Sequence, residues 1–316
     1  MFSSQEIKPQ PTRSLLRIFG TLIALGLVIF LVWRNWYAFV AALGSLPISL
    51  LLLVLANALM SRMMVTLRWF ILLRLVAPKV TFLEVFKLSF VGLFTTNVLP
   101  STIGGDVVKL GGALQFGLNS ADVTASLIMD RLCGMGTMAS FLPFGIIAMF
   151  QAQSISAVRL ASSPSIFVKK IWNKLSAFLK RVMQALRLWL KHPRVLLMAA
   201  LFSYVHMACT FAMVSLILNS LGHPTPFWKV GGLWVLIYFI TLIPISINGL
   251  GLQEFSLSLI YTNIAGVSEA NSLVLALLMR IMFMIASLPG ALFLPEVFSG
   301  GRKVKQYNQQ SGSRDE

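Results

Sequence analysis

Twice in this chain a long apolar run is broken by a short, polar, glycine-rich stretch, and the two breaks read alike. The first is Asn97-Val98-Leu99-Pro100-Ser101-Thr102-Ile103-Gly104-Gly105-Asp106. The second, Pro244-Ile245-Ser246-Ile247-Asn248-Gly249, repeats its Pro-x-x-Ile-x-Gly spacing. Each is followed by a further matched stretch. Gly117-Leu118-Asn119-Ser120-Ala121-Asp122 runs on to Arg131, and Gly266-Val267-Ser268-Glu269-Ala270-Asn271 runs on to Arg280. In both, the alanine stands 4 places and the arginine 14 places after the glycine. Interrupted apolar segments in corresponding places predict an internal structural repeat.

The apolar runs around these breaks decide the class. Several exceed the roughly 18 residues that cross a bilayer. Hydrophobic residues make up 57% of the chain, mean hydropathy is +0.82 and only 11% of residues are charged, against about 25% in a soluble domain. The chain reads as an all-α polytopic membrane protein. A net charge of +16 would suggest nucleic acid in a soluble protein. Here it follows from basic cytoplasmic loops and contact with anionic lipid head groups, so lipids and not nucleic acid are the expected partners. Cys133 and Cys209 lie in separate apolar segments and form neither a disulfide framework nor a metal-spaced pair. The first apolar run is not followed by a small-residue cleavage site and reads as a retained span.

In chain order, residues 1–14 are a polar, cytoplasmic tail, 15–298 a single transmembrane domain and 299–316 a polar C-terminal tail. Spans are expected at Leu15–Trp33, at Leu46–Leu73 and at Phe82–Val98, the last entering the first break. Arg68, Arg74 and Lys79 place the end of the second span in the cytoplasm, and Arg62 either snorkels or faces a wet interior. A long helix over Val123–Phe150 carries Asp130 and Arg131. Residues 159–194 then hold nine basic and no acidic side chains, with Leu175, Phe178, Leu179, Val182, Leu186 and Trp189 on one helical face. A basic amphipathic linker helix over about 165–192, lying on the anionic cytoplasmic leaflet, is the expectation.

Two more spans, Val195–Ser220 and Phe227–Ile243, lead to the second break and a short helix, and Leu273–Leu288 is the last long apolar helix. One crossing between unit one (about 82–150) and unit two (about 227–298) puts the units in opposite orientations, as an inverted repeat of broken or re-entrant helices. Seven crossings would leave Arg302, Lys303 and Lys305 outside, against the positive-inside rule, so the count stands at seven to eight.

Polar backbone at membrane depth must be buried in protein or line a cavity. Helices that begin after such breaks aim free N–H groups and a positive dipole end inward, a receptor for phosphate. Asp106, Lys109, Asp130, Arg131, Glu254 and Arg280 fall within or beside apolar segments, where a charge costs roughly 2.5–3.5 kcal/mol on insertion scales and is expected to be functional and paired. The candidate substrate-binding set is Asn97, Gly104, Gly105, Asp106, Lys109, Asp130, Arg131, Asn248, Gly249, Gly251, Glu254 and Arg280. Arg131 and Arg280 face a shared cavity, with Asp106, Asp130 and Glu254 as partners. The chain holds no HExxH, P-loop or GxSxG motif, and His192, His206 and His223 stand apart. The sequence therefore calls for no catalytic residue, cofactor or metal, and His206 reads as a helix contact.

Asn97-x-x-Pro100-x-x-x-Gly104-Gly105-Asp106, then Asp130-Arg131-Leu132-x-Gly134, then Pro244-x-x-x-x-Gly249-x-Gly251-x-x-Glu254 together resemble the flippase-like lysylphosphatidylglycerol synthase transmembrane region family. The resemblance covers about 15–298. It implies an inner-membrane protein whose fused relatives move an aminoacylated lipid between leaflets, with other relatives in hopanoid or polyprenyl-linked glycolipid pathways. It also implies that the Gly-Gly-Asp, Asp-Arg and Gly-x-Gly-x-x-Glu positions are the functional elements. Too little chain follows residue 298 for an aminoacyl-transferring domain, so lysyl transfer is not expected. The leading expectation is transport of a phosphate-bearing lipid between leaflets of the cytoplasmic membrane. The alternative is a non-transporting accessory of a separate glycosyltransferase or lipid-modifying enzyme.

Overall fold

The computed structural model describes residues 11–98, 104–152, 189, 191–243 and 246–297. Outside the described residues lie the first ten and last nineteen residues, the tips of both breaks at 99–103 and 244–245, and most of the expected linker helix. The described chain runs α1 (Pro11–Arg34), α2 (Trp36–Gly44), α3 (Ile48–Val76), α4 (Phe82–Val98), α5 (Gly104–Gln115), α6 (Ser120–Ala139), α7 (Leu142–Gln151), α8 (Pro193–Ser220), α9 (Phe227–Thr241), α10 (Leu252–Ala265) and α11 (Glu269–Ser287). A final short helix occupies 289–297.

Local chemistry sets where these helices begin. Thr81 and Glu84 form a capping box at the start of α4: the Thr81 N–H donates to Glu84 Oε2 at 2.8 Å and the Glu84 N–H to Thr81 Oγ1 at 3.3 Å. The matched stretches of the sequence become matched caps. Gly117 (φ 77°) and Gly266 (φ 72°) turn the chain through the left-handed region. Two residues later Asn119 accepts from the Ala121 N–H to start α6, and Ser268 accepts from the Asn271 N–H to start α11.

By length and composition α3, the α6–α7 pair, α8 and α11 can each cross a membrane. The first expected span, Leu15–Trp33, is part of α1. The path then turns by 82° at Asn35 into α2, and the two together make at most one further span. The expected third and sixth spans behave differently. At 1.5 Å per residue, 17-residue α4 and 15-residue α9 reach about 26 and 23 Å, short of a hydrocarbon core about 30 Å thick. Each folds back on the helix that follows its break. Leu88 lies beside Gly112, and Gly92 beside Gly105 and Lys109, so α4 and α5 are antiparallel. Tyr261 donates to the Val230 carbonyl at 3.3 Å and Thr241 lies beside Gly249, so α9 and α10 are antiparallel too. The two breaks are thus tips of helical hairpins. Four spans, or five with the bent pair, satisfy the length test where the sequence suggested seven to eight.

The long helices form the frame on which the hairpins sit. α3 packs along α8, with α6 and α11 beside them. One apolar core joins α3, α8, α9, α10 and α11 through Val54, Ala58, Phe211, Val235, Leu257 and Leu275. A second joins α3, α4, α5 and α6 through Trp69, Leu88, Val91, Ala113 and Val123. Trp189, expected on the lipid-facing side of a surface helix, is instead buried against Leu72, Met129 and Ala199.

Lipid tails are as apolar as leucine, so helices in a bilayer associate by close packing of small residues. α7 and α9 meet at Gly145 and Gly232, where a Cβ on Gly232 would stand 2.4 Å from the Gly145 nitrogen. Gly232→Val should therefore overpack the contact by about 1–3 kcal/mol and lower the thermal midpoint of the detergent-purified protein by several degrees. Gly26→Ala, whose Cβ meets nothing within 4 Å, should not.

Candidate functional site

Beside their breaks the two hairpins are in contact. Asn248, on the second break, takes φ 50°, a left-handed conformation that asparagine tolerates because its short side chain bonds locally. Its amide donates to the Thr96 carbonyl at 2.8 Å, near the end of α4. Asn97, on the first break, donates to Ser287 Oγ on α11 at 2.7 Å. The Ile247 N–H donates to Thr21 Oγ1 of α1 at 2.6 Å. The Asn248 and Thr21 bonds fill a carbonyl and an amide that the ends of these helices leave open.

Each hairpin is also tied to the helix after it by one ion pair, and the pairs correspond residue by residue. Asp106 is the third residue of α5 and Glu254 the third of α10; Arg131 is the twelfth of α6 and Arg280 the twelfth of α11. Arg131 Nε donates to Asp106 Oδ2 at 2.9 Å, and Arg280 pairs with Glu254 while its Nη2 donates to the Gly249 carbonyl at 3.2 Å. The carboxylates sit in the first turns of their helices, where the backbone dipole favours them. Those N-termini, expected to face a ligand uncompensated, carry negative charge of their own. The pairs are unequal in exposure: the Arg131 side chain is 54% exposed and that of Arg280 16%.

The third acid, Asp130, goes elsewhere. It forms a two-pronged bond with Arg68 of α3, Nε to Oδ1 at 2.6 Å and Nη2 to Oδ2 at 3.1 Å, with both side chains 7% exposed. Arg68 Nη1 also donates to Ser203 Oγ of α8 at 3.0 Å, so one guanidinium ties α3, α6 and α8. Gly134 leaves room for it, since a Cβ there would stand 3.1 Å from Arg68 Nη1. This accounts for the Asp130-Arg131-x-x-Gly134 pattern: the adjacent charges serve different partners, and the glycine one turn on admits the Arg68 guanidinium that pairs with Asp130. Sequence reading assigned Arg68 only a topological role, and nothing local marked it as the partner of Asp130.

Two connected cavities lie where these elements converge. One of about 320 Å³ is lined by Arg62, Asn97, Arg131, His206, Asn248, Gly249 and Arg280, among others. The other, of about 270 Å³, is lined by Arg62, Arg68, Gly105, Asp106, Lys109, Asp130 and Arg131. Arg62, Leu93, Thr96, Arg131, Met138, His206 and Tyr238 wall both. Of the candidate set, nine residues line this space. Gly104 is buried in α5, Gly251 presses on Ala24 and Leu25 of α1, and Glu254 is buried behind Arg280. Gly105 is a close-packing position as well as a lining one, because a Cβ there would stand 2.0 Å from Thr96 Oγ1.

The space also holds residues that the candidate set omits. His206 Nδ1 shares a 2.6 Å hydrogen bond with Ser61 Oγ, and Tyr238 lines both cavities. Arg62 stacks its guanidinium 4.4 Å from the centre of the Phe283 ring, with its Nε buried and unbonded.

Removing one member of a buried ion pair strands the other, which costs about 3–5 kcal/mol, whereas replacing both by apolar side chains is close to neutral. Arg68→Met should therefore strongly lower the thermal stability of the purified protein. Adding Asp130→Leu should restore most of the loss, and unfolding curves of the two variants read this directly.

No curated protein matches the chain. The family described as the lysylphosphatidylglycerol synthase TM region matches residues 17–290, from the first helix to the end of the second hairpin unit. The chain belongs to the lysylphosphatidylglycerol synthase transmembrane-region family, a multi-pass membrane family of lipid-related function.

Proposed function

We propose that this protein is a flippase-like transporter that moves a phosphate-bearing lipid between the leaflets of the cytoplasmic membrane. The carrying observation is the polar, arginine-rich cavity at the junction of the two hairpins, walled by Arg62, Arg131 and Arg280. An anionic head group enters this space, and its acyl or isoprenoid tails stay in the bilayer. The matched caps, hairpins and ion pairs of units 82–150 and 227–298 support an inverted repeat in which the units exchange roles as the cavity opens to either side. The unequal exposure of Arg131 and Arg280 fits one unit open and the other closed. The polar groups of the candidate set then divide their work. Arg131 and Arg280 meet the head group. Asp106 and Glu254 hold those arginines in place, Asn248 couples the two hairpins and Asn97 ties the first to α11.

The test is leaflet exchange of labelled anionic lipid in vesicles containing the purified protein. Neutralising a whole pair avoids stranding a charge, so the informative variants are Asp106→Asn with Arg131→Gln and Glu254→Gln with Arg280→Gln. A lost charge-assisted hydrogen bond is worth about 1.5–3 kcal/mol, so each double variant should remain folded and slow exchange by roughly tenfold or more. Wild-type vesicles that exchange no faster than empty ones, from protein that co-purifies with a lipid-modifying enzyme, would establish the accessory role instead.

A further inference from the structure

The charges around the cavity do not balance, and the excess is localised. In the 270 Å³ compartment Arg62, Arg68, Lys109 and Arg131 face Asp106 and Asp130. Asp130 is taken by Arg68 and Asp106 by Arg131. Arg62 and Lys109 are left, and neither makes an ion pair among the described residues. Each is held by an aromatic face. The Arg62 guanidinium lies 4.4 Å from the Phe283 ring centre, and the Lys109 ammonium 4.8 Å from that of Trp69. A ring face orients a cation and screens it from lipid without neutralising it. Lys109 is 6% exposed, and its stem crosses Gly92, where a Cβ would stand 2.7 Å from Lys109 Cγ. The position is therefore built to bring an ammonium into this compartment. Arg62, whose Nε is buried and without a hydrogen-bond partner, lines the same compartment.

Building on the lipid-transport reading above, we propose that Arg62 and Lys109 form a binding site for a doubly charged phosphate, selecting phosphomonoester over phosphodiester head groups. Two uncompensated cations at membrane depth are neutralised by a dianion, and a monoanion leaves one of them bare. A phosphomonoester carries about −1.5 to −2 charge near neutral pH and three acceptor oxygens, enough to take the Arg62 guanidinium and the Lys109 ammonium together. A phosphodiester has one charge and two such oxygens.

The experiment measures binding to the full chain in detergent, using short-chain phosphatidic acid as the monoester lipid and short-chain phosphatidylglycerol as the diester. Glycerol 3-phosphate and inorganic phosphate serve as soluble competitors. Wild type should bind phosphatidic acid about tenfold or more tightly than phosphatidylglycerol, as expected when one further charge-assisted contact is made. Arg62→Gln and Lys109→Gln should each weaken binding of phosphatidic acid more than of phosphatidylglycerol and erase most of that preference. Arg62→Lys should keep part of it. Equal binding of the two lipids by wild type overturns the proposal, as does a folded Arg62→Gln variant with its preference intact. If Arg62→Gln does not fold, the wild-type ranking and Lys109→Gln decide. Competition by the soluble phosphates at concentrations comparable with phosphatidic acid would reassign the site to a free phosphomonoester and overturn the lipid assignment. Equal lipid binding with leaflet exchange retained removes this selectivity alone; absent exchange removes the transport reading whatever the lipids bind.

Discussion

Hydrocarbon provides no hydrogen-bond partners, and that constraint shapes every unusual feature of this protein. A chain broken twice inside apolar sequence must satisfy the exposed amides, carbonyls and side chains from its own atoms. It does so by pairing the helices on either side of each break as a hairpin and bonding the residues that flank the breaks to neighbouring helices. Asn248 serves the Thr96 carbonyl, Asn97 reaches Ser287, and Thr21 receives the Ile247 N–H. Glycine makes the hairpins close enough for this, at Gly105 against α4 and at Gly251 against α1.

The same constraint sorts the charges into two kinds. Asp106, Asp130 and Glu254 each neutralise one arginine, and those three pairs tie hairpins and long helices into one frame. Arg62 and Lys109 receive aromatic rings in place of carboxylates. A side chain that a fold supports but leaves charged is poised for a ligand, and a site made of such groups costs stability until something anionic enters. Cations with and without a protein counter-ion thus stand within one cavity.

Much of this was legible in the chain. The spacing from Gly117 to Arg131 and from Gly266 to Arg280 foreshadowed the matched caps and matched ion pairs, because a cap and a residue three turns along one helix are separated by fixed geometry. Asp106, Asp130 and Glu254 were legible as the carboxylates available to those arginines, but not which of them pairs with which, and Asp130 turns instead to Arg68. Hairpins were harder to tell from spans. The apolar composition of α4 and α9 suits either, and only their 17 and 15 residues, together with their packing on α5 and α10, separate the two cases.

The sequence by itself determined the membrane class, the helical character and the matched spacings from Gly117 to Arg131 and from Gly266 to Arg280, because these depend on composition and on residues near one another along the chain. Only the tertiary structure decided which charges cancel. Arg68 finds Asp130 62 positions away, and Ser61 finds His206 145 positions away. Those pairings follow from α3 lying against α6 and α8, and no local pattern encodes which helices become neighbours. The break at Asn97–Asp106, a polar interruption when read along the chain, gains its meaning from that arrangement, as one wall of a cavity whose unbalanced charge lies on Arg62 and Lys109.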